Sequence, residues 1–336
     1  MDADAIGKAA EREGNMIKLS IIVPVYNLEN YVSRTLDLLL SIRFSHDCEI
    51  IVVNDGSTDT SGEVIARYQE KTDKIRLVTI ENGGVSNARN VGVRHARGQY
   101  ITFLDGDDTV EPDFYEKAVA ELDAGGYDFV QGNFRLVKSE QVQAYVLVDR
   151  DTEILDRKQM LEQYLIPGRL AIHCNVCGKV FREDVARKVI FDTSVYYGED
   201  RKFVFDVLCG CDRIKLLKDM SYNYIQRDSS VCHTLTYDGE RQLYEVMTYY
   251  VQKIPYPELI PMFDTERVNW LLGQYYAAKR AGHPRAAGLR RELKALPCRK
   301  MWPYMNRTMR RRVLLHQFAR PLYDLYIVHL KKEKDA

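Results

Sequence analysis

The sequence VSNARNVGVRHARGQYITFLDGDD, residues 85–108, gives the clearest indication of how this chain is built. Its first half repeats apolar residues at helical spacing, and QYITFLD (99–105) has the β-favouring composition of a buried strand. The strand runs directly into Asp105, Asp107 and Asp108. Carboxylates at such short range repel one another and resist losing water, so the cluster requires a physical explanation.

The residues upstream of this stretch alternate between the same two patterns. The predicted strands are 19–26, 49–55, 75–80 and 99–105, and the predicted helices are 29–42, 60–71 and 85–96. Apolar strands separated by helices indicate a parallel sheet covered on both faces, built from right-handed strand–helix–strand units. Ligands bind beyond the carboxyl ends of such strands, so the polar clusters YNLEN, NDGSTDTS, ENGG and DGDD should meet in one crevice.

The remaining chain continues the α/β pattern and then becomes helical. Strand-like runs occur within 128–148 and in RIKLL and MSYNYIQ, and helical runs at 156–165 and 198–210. GKVFRED (178–184) is typical of a short strand that turns into a helix. After about residue 238 the apolar periodicity is helical. We therefore predict a polar lead at 1–18, an α/β domain at 19–235 divided at residue 130, and a basic helical C-terminal region at 236–336.

Charge is distributed unevenly along the 336 residues although the net charge is zero. From Lys279 onward there are 16 Lys and Arg against 4 Asp and Glu, and the first 278 residues carry the opposite imbalance. A basic region of this kind is typical of contact with an anionic surface. No apolar run approaches the roughly 18–20 residues that span a bilayer. The start MDADAIGKAAEREGN lacks the apolar segment of a signal peptide, so we expect a cytoplasmic protein.

Seven cysteines without a secretion signal favour reduced thiols. The pairs Cys174/Cys177 and Cys209/Cys211 leave two interpretations open, a four-thiolate zinc site or thiols buried in the core.

The first strand lacks the glycines that hold phosphates in dinucleotide-binding and P-loop proteins. It is followed by VPVYNLENYV, which contains no glycine. An anionic ligand would therefore need a metal, and Asp105-Gly106-Asp107 places two carboxylates one residue apart at a strand end. Mg²⁺ and Mn²⁺ bind such oxygens and bridge them to phosphates, and Gly106 permits close approach of a ligand. The alternative is an acidic helix start with Pro112 in its first turn.

Context favours the metal interpretation. The segments SIIVPVYN, VNDGSTDTS, NGGVSNARNVGVRHARGQYITFLDGDD and YGED follow one another in that order. Together they resemble the inverting nucleotide-sugar glycosyltransferases of family 2, over about residues 19–230. CGKVFRED (177–184) and YNYIQRDSS (222–230) resemble two further stretches of that family. The resemblance implies a GT-A, Rossmann-like, mostly parallel sheet flanked by helices, with a nucleotide-sugar half (19–130) and an acceptor half (131–235).

The resemblance also assigns a nucleotide-binding set. Pro24, Val25 and Tyr26 would lie along the base, and Asp55 would form a hydrogen bond with it, uracil being the expected base. Arg89 would help to hold the nucleotide or the acidic cluster. The alternatives are that Asp55 caps the following helix and that Arg89 is a surface residue.

The resemblance assigns a second set of residues to metal binding and to removal of the proton from the acceptor hydroxyl. Asp105 would contact the ribose and Asp107 would bind Mn²⁺ or Mg²⁺, while Asp108 is expected to support the site or cap a helix. Asp200, in the GED sequence at 198–200, would accept the proton of the acceptor hydroxyl. Glu199 is the competing base, and a helix-capping acid is the alternative role for Asp200.

Two further residues, Arg227 and His233, are candidates for contacts with the ligand or the metal. Arg227 could contact the diphosphate, because a guanidinium suits phosphate oxygens. His233 could be an additional metal ligand or a structural histidine. Lys179 has no specific role in this comparison.

The implied activity is metal-dependent transfer of a hexosyl or N-acetylhexosaminyl group. The donor would be a UDP-sugar, and the acceptor a hydroxyl of a surface glycan or a lipid-linked oligosaccharide, with no nucleic-acid partner. The alternatives are a non-catalytic binding protein for a nucleotide-sugar or carbohydrate on the same fold, and a sugar nucleotidyltransferase. Residues 307–334 mix basic clusters with apolar residues, which fits either peripheral contact with an inner membrane face or a packed subdomain with a solvated basic face.

Overall fold

A computed structural model describes the chain in two compact units. The described residues are 16–138, 141–165, 171–226, 237–280, 282–296, 298–305 and 307–318. Unit 1 comprises those within Met1–Met160 and Ala171–His233, and unit 2 those within Leu161–Leu170 and Thr234–Ala336.

Unit 1 is a mixed sheet with helices. Its strands are β1 (Leu19–Val25), β2 (Cys48–Asp55), β3 (Ile75–Ile80), β4 (Tyr100–Phe103), β5 (Thr109–Val110), β6 (Phe129–Lys138), β7 (Gln141–Tyr145), β8 (Thr152–Ile154), β9 (Lys179–Arg182) and β10 (Ile214–Gln226). Its helices are α1 (Val32–Ser41), α2 (Ser61–Gln69), α3 (Gly84–His95), α4 (Phe114–Gly125), α6 (Glu183–Lys188) and α7 (Glu199–Gly210). The division between the units falls within α5 (Arg157–Leu165).

The strand order is β3-β2-β1-β4-β9-β6-β10-β5, with β7 paired to β6 and β8 to β10. The pairs β2/β3, β1/β2 and β1/β4 are parallel, which confirms the expected α/β sheet in the first half of the unit. Strand β9 then pairs antiparallel with both β4 and β6, so the second half is mixed.

Both faces of the sheet are covered because its central strands are apolar on both sides. All seven residues of β1 are buried. Its alternate residues Leu19, Ile21, Val23 and Val25 share one core cluster with α1 and α4. The opposite face packs on α3, where a Cβ added to Gly92 would lie 2.3 Å from Cγ2 of Ile22.

Strand β10 corrects one detail of the sequence interpretation. RIKLL and MSYNYIQ were predicted as two strands, but they form one strand whose pairing with β6 shifts register between Leu216 and Tyr222. Such an irregularity lets a strand continue across a local break in its pattern.

Unit 2 is helical in its described part. Its helices are α8 (Tyr237–Lys253), α9 (Ile260–Arg280), α10 (Ala286–Ala295), α11 (Cys298–Met301) and α12 (Arg307–Phe318). Leu271, Leu272, Tyr275 and Leu289 lie in its core with Met301. Within the described ranges no helix has the length and apolar character needed to cross a membrane.

Candidate active site

Beyond the carboxyl ends of β1, β2 and β4, unit 1 contains a cavity of about 280 Å³. The residues that line it are Pro24, Val25, Tyr26, Leu28, Asp55, Val85, Ala88, Arg89, Asp105, Gly106, Asp107, Glu199 and Tyr224. Three of the four polar clusters that were expected in one crevice therefore line this cavity, and the fourth, ENGG, does not. Tyr26 is 48% exposed, which leaves an aromatic ring accessible at the cavity.

Asp55 links the fourth cluster to the cavity. Its two carboxylate oxygens accept hydrogen bonds from the backbone N–H groups of Gly83 and Gly84, both at 2.8 Å. The Asp55 carboxylate therefore accepts hydrogen bonds from backbone N–H groups at the start of α3. At the start of α2, the helix that directly follows Asp55 in the sequence, Asp59 accepts from Ser61 N–H instead. A carboxylate has about four acceptor positions, so these bonds leave Asp55 able to accept another.

Helix α1 holds the acidic loop after β4 through its backbone. Thr35 Oγ1 donates to the carbonyl oxygens of Gly106 and Asp108, and Arg34 donates to that of Asp107 at 2.7 Å. A Cβ on Gly106 would lie 3.1 Å from the carbonyl oxygen of Pro24, so glycine also allows this loop to pack on β1. No local pattern indicates the roles of Arg34 and Thr35, because these contacts join residues about 70 positions apart.

Arg89 joins the acidic loop to the GED sequence. This side chain is 2% exposed, and its Nη2 donates to Asp105 at 2.8 Å. Its Nη1 donates to Asp200 at 2.6 Å and lies 3.4 Å from Glu199. We call these four residues the Arg89 cluster. Three carboxylates face one guanidinium, so the cluster carries excess negative charge.

Burial and mutual repulsion oppose ionisation in this cluster. Burial, followed by the charge of Asp200, raises the pKa of Glu199 to about 7. Burial also raises the pKa of Asp200, although Arg89 acts in the opposite direction. The second oxygen of Asp200 accepts from Val176 N–H at 3.0 Å, and Glu199, unlike Asp200, lies in the cavity wall.

Lys179 supports the segment that contacts Asp200. It is fully buried, and its Nζ donates to the carbonyl oxygens of His173 and Asn175 at 2.8 and 2.6 Å. Burial lowers its pKa to about 7. Val176 follows directly, so the amide that contacts Asp200 belongs to a segment fixed by Lys179.

The acidic loop contains suitable donors for a hard cation. Donor atoms of Asp105, Asp108 and Cys177 lie within 4.8 Å of one another, which the sequence did not predict for Cys177. Burial raises the pKa of the Cys177 thiol well above its usual value, and a neutral thiol suits Mg²⁺ or Mn²⁺ poorly. Asp108 is buried and accepts from Ile225 N–H at 2.8 Å. The residues of this group that fit such a cation are therefore the carboxylates of Asp105 and Asp108. Asp107, the predicted metal ligand, is not in the group and lies in the cavity wall.

Two residues of the predicted site, Arg227 and His233, lie in 227–236, outside the described residues, so their assignments stay predictions.

The four cysteines of the zinc alternative, Cys174, Cys177, Cys209 and Cys211, are free thiols. No three of them come together as a metal-ligand group within the described ranges, which contradicts the zinc alternative.

A sheet of this topology with a carboxylate-lined cavity at its strand ends defines a GT-A fold. The family described as Glycosyl transferase family 2 matches residues 20–190, half of the chain. The chain therefore belongs to glycosyl transferase family 2.

Its relatives include the Uncharacterized glycosyltransferase EpsJ of Bacillus subtilis (strain 168), 32% identical over 216 residues. That match covers 63% of this chain and 62% of EpsJ. The Poly(ribitol-phosphate) beta-N-acetylglucosaminyltransferase TarS of Staphylococcus aureus (strain MW2) is 25% identical over 236 residues, 69% of this chain and 39% of TarS. The chain thus spans less than two thirds of either relative.

The crystal structure of S. aureus TarS 1-349 in complex with UDP-GlcNAc aligns with a TM-score of 0.64. The alignment covers 95% of this chain and 92% of that chain at 19% identity. At this level of sequence identity, the alignment shows that the two chains share a fold.

Proposed function

We propose that this protein transfers a sugar from a UDP-sugar to an acceptor hydroxyl with inversion at the anomeric carbon. The observation that carries the proposal is the pair of hydrogen bonds from Arg89 to Asp105, on the cavity side, and to Asp200, at the start of α7. The buried guanidinium of Arg89 thus joins the proposed donor site to the proposed base.

The donor would lie along the strand ends. Tyr26 offers an exposed ring for the base beside Pro24 and Val25, and Asp55 retains acceptor capacity for an imide N–H such as that of uracil. Asp105, which is 34% exposed, would accept from the ribose. The complex of TarS with UDP-GlcNAc supports a uridine nucleotide as the donor.

Asp107 would hold Mn²⁺ or Mg²⁺, with Asp105 or Asp108 as a further oxygen donor. Asp107 lies in the cavity wall, where a cation could also contact a ligand's phosphates. The ion would offset the negative charge of the diphosphate in the bound donor and in the departing nucleotide.

Asp200 would take the proton from the acceptor hydroxyl as its oxygen attacks the anomeric carbon. Its raised pKa makes it a stronger base than an exposed aspartate. The hydrogen bonds from Arg89 and Val176 fix the orientation of its carboxylate. Glu199 remains the rival base, because it lies in the cavity wall and its pKa is about 7.

The acceptor would be a hydroxyl of a surface glycan or of its lipid-linked precursor. The name of TarS, a poly(ribitol-phosphate) beta-N-acetylglucosaminyltransferase, supports a polymer acceptor. A cytoplasmic enzyme would meet such an acceptor at the inner membrane face, where its basic C-terminal region could approach anionic lipids.

Ligand-dependent thermal stabilisation of the full chain tests the donor site. A panel of UDP- and GDP-sugars is measured with Mn²⁺ and with a chelator. A UDP-sugar should raise the melting temperature only with Mn²⁺, because the diphosphate needs the cation beside these carboxylates. Asp107→Ala should abolish the shift, whereas Asp113→Ala, at an exposed aspartate outside the cavity wall, should retain it. A shift that survives both the chelator and Asp107→Ala would contradict the proposed donor site.

A further inference from the structure

The chain directly before β9 presents a backbone amide to the proposed base without belonging to a helix or a strand. We call residues 171–176 the Val176 segment. Ile172, His173 and Val176 are buried, so the backbone groups of the segment need partners inside the protein. Side chains must supply partners where no helix or strand does. The N–H of Val176 is the group that reaches Asp200, at 3.0 Å from Oδ2.

Lys179 of β9 directs its ammonium group at this segment. Its Nζ donates to the carbonyl oxygens of His173 and Asn175 and lies 3.0 Å from His173 Nδ1. Burial lowers the pKa of His173 well below its usual value, so the neutral ring accepts at Nδ1. An ammonium has three N–H donors, and these three acceptors match them. Lys179 therefore holds the residue that directly precedes Val176.

Two neighbouring strands hold the same segment. Gln131 of β6 donates to the Ala171 carbonyl oxygen at 2.8 Å and accepts from His173 N–H at 3.3 Å. Tyr222 of β10 accepts from the side-chain amide of Asn175. Both side chains are at most 2% exposed, so the packing of the sheet fixes their positions.

We propose that these three strands orient Asp200 for proton removal through the Val176 amide, with Lys179 as the principal positioning residue. This inference rests on the proposed function, in which Asp200 is the base. Each carboxylate oxygen of Asp200 accepts one hydrogen bond, Oδ1 from Arg89 and Oδ2 from Val176. Two bonds fix the plane of the carboxylate, whereas the bond from Arg89 alone would let it rotate. A misplacement of about 1 Å costs on the order of 100-fold in rate.

UDP release from the best-binding UDP-sugar, measured on the full chain with Mn²⁺, tests the catalytic consequence. Lys179→Met keeps the length of the side chain but removes its donors. We expect kcat to fall at least about tenfold and the donor KM to change less than about twofold, because the Val176 segment does not line the donor cavity.

A second background shows whether the effect passes through Asp200. In Asp200→Asn, the change Lys179→Met should lower the remaining kcat by less than about twofold, because the base is already absent. An equal fold-loss in the two backgrounds, or an unchanged kcat in folded Lys179→Met, would overturn the proposal.

Tyr222→Phe gives a milder variant should Lys179→Met not fold. It is compared with Ser221→Ala, which removes a hydroxyl from the adjacent buried residue of β10. The Ser221 hydroxyl donates to the Asn133 carbonyl oxygen at 2.6 Å and does not contact the Val176 segment. We expect kcat to fall about fivefold in Tyr222→Phe and less than about twofold in Ser221→Ala. Equal losses in these two variants would count against the proposal.

Hydrogen–deuterium exchange of the Val176 amide separates this test from that of the proposed function, because it needs no turnover. Relative to the unmodified chain, exchange should be at least about tenfold faster in Lys179→Met and less than about twofold faster in Ser221→Ala. An unchanged exchange rate in Lys179→Met would overturn the positioning role. Absence of UDP release by the unmodified chain would contradict the proposed function, and exchange would still decide whether Lys179 holds the amide.

Discussion

Arg89 is the residue on which the arrangement of the candidate site depends most. It contacts Asp105, Glu199 and Asp200, two of which lie about 110 positions further along the chain. The family resemblance implies that Arg89 holds the nucleotide or the acidic cluster. It could not predict the shared contact with Asp200, because that depends on where α7 starts in three dimensions. For the same reason, sequence spacing alone could not predict that the thiol of Cys177 lies close to the carboxylate of Asp105.

Removal of the Arg89 charge should destabilise unit 1. In Arg89→Met, three partly buried carboxylates lose their common buried partner, and we expect the free energy of unfolding to fall by about 3–5 kcal/mol at neutral pH. Arg94→Met, at an exposed site on the same helix, should change it by less than about 0.5 kcal/mol. Urea unfolding followed by circular dichroism measures both. Equal stability of the two variants would show that the Arg89 cluster contributes nothing to folding.

Glu199 should make stability depend on pH. Its pKa is about 7 in the folded protein against an ordinary 4.5, so between these values the folded state binds more protons than the unfolded state. Stability therefore falls as pH rises through this window, and the penalty is complete above about pH 7.

Glu199→Gln removes that penalty. With a chelator present, the variant should match the unmodified protein near pH 4.5 and exceed it at pH 8 by on the order of 2 kcal/mol. Urea titrations at four pH values measure the difference. A difference that stays constant across the range would contradict the raised pKa.

At the scale of elements, the apolar strands and amphipathic helices of residues 19–103 could be predicted because each has a clear local period. β9 was predicted as a strand too, since KVFR precedes a helix start. Its place between β4 and β6 was not predictable, because strand order is set by tertiary pairing. That place matters for the site, since the segment before β9 supplies the Val176 amide to Asp200.

The contact of α3 with β1 tests this packing. In Gly92→Ala the new Cβ would overlap Cγ2 of Ile22, and we expect a loss of about 1–3 kcal/mol in the free energy of unfolding. Gly210→Ala, near the end of α7, meets no atom within 4 Å and should be neutral or stabilising by up to about 1 kcal/mol. Thermal and urea unfolding measure both variants. In an Ile22→Ala background the effect of Gly92→Ala should largely disappear, and an undiminished effect would place the strain elsewhere.

At the scale of the whole molecule, the chain separates its charges. Unit 1 holds carboxylates around the proposed donor site, whereas the excess of basic residues begins at Lys279. The basic C-terminal region could be predicted by counting charges. The assignment of residues 161–165, the end of α5, to unit 2 could not, because a helical period does not indicate which core a helix joins.

The most direct measurement of the proposed activity is UDP release from the best-binding UDP-sugar in the presence of Mn²⁺. The unmodified chain should release UDP, and Asp107→Ala should not. Asp200→Asn should lower kcat by at least about 100-fold with little change in KM, because it removes the base but keeps its shape. Glu199→Gln should lower kcat less than about tenfold. Full turnover by Asp200→Asn, or a larger loss in Glu199→Gln, would contradict the assignment of Asp200 as the base.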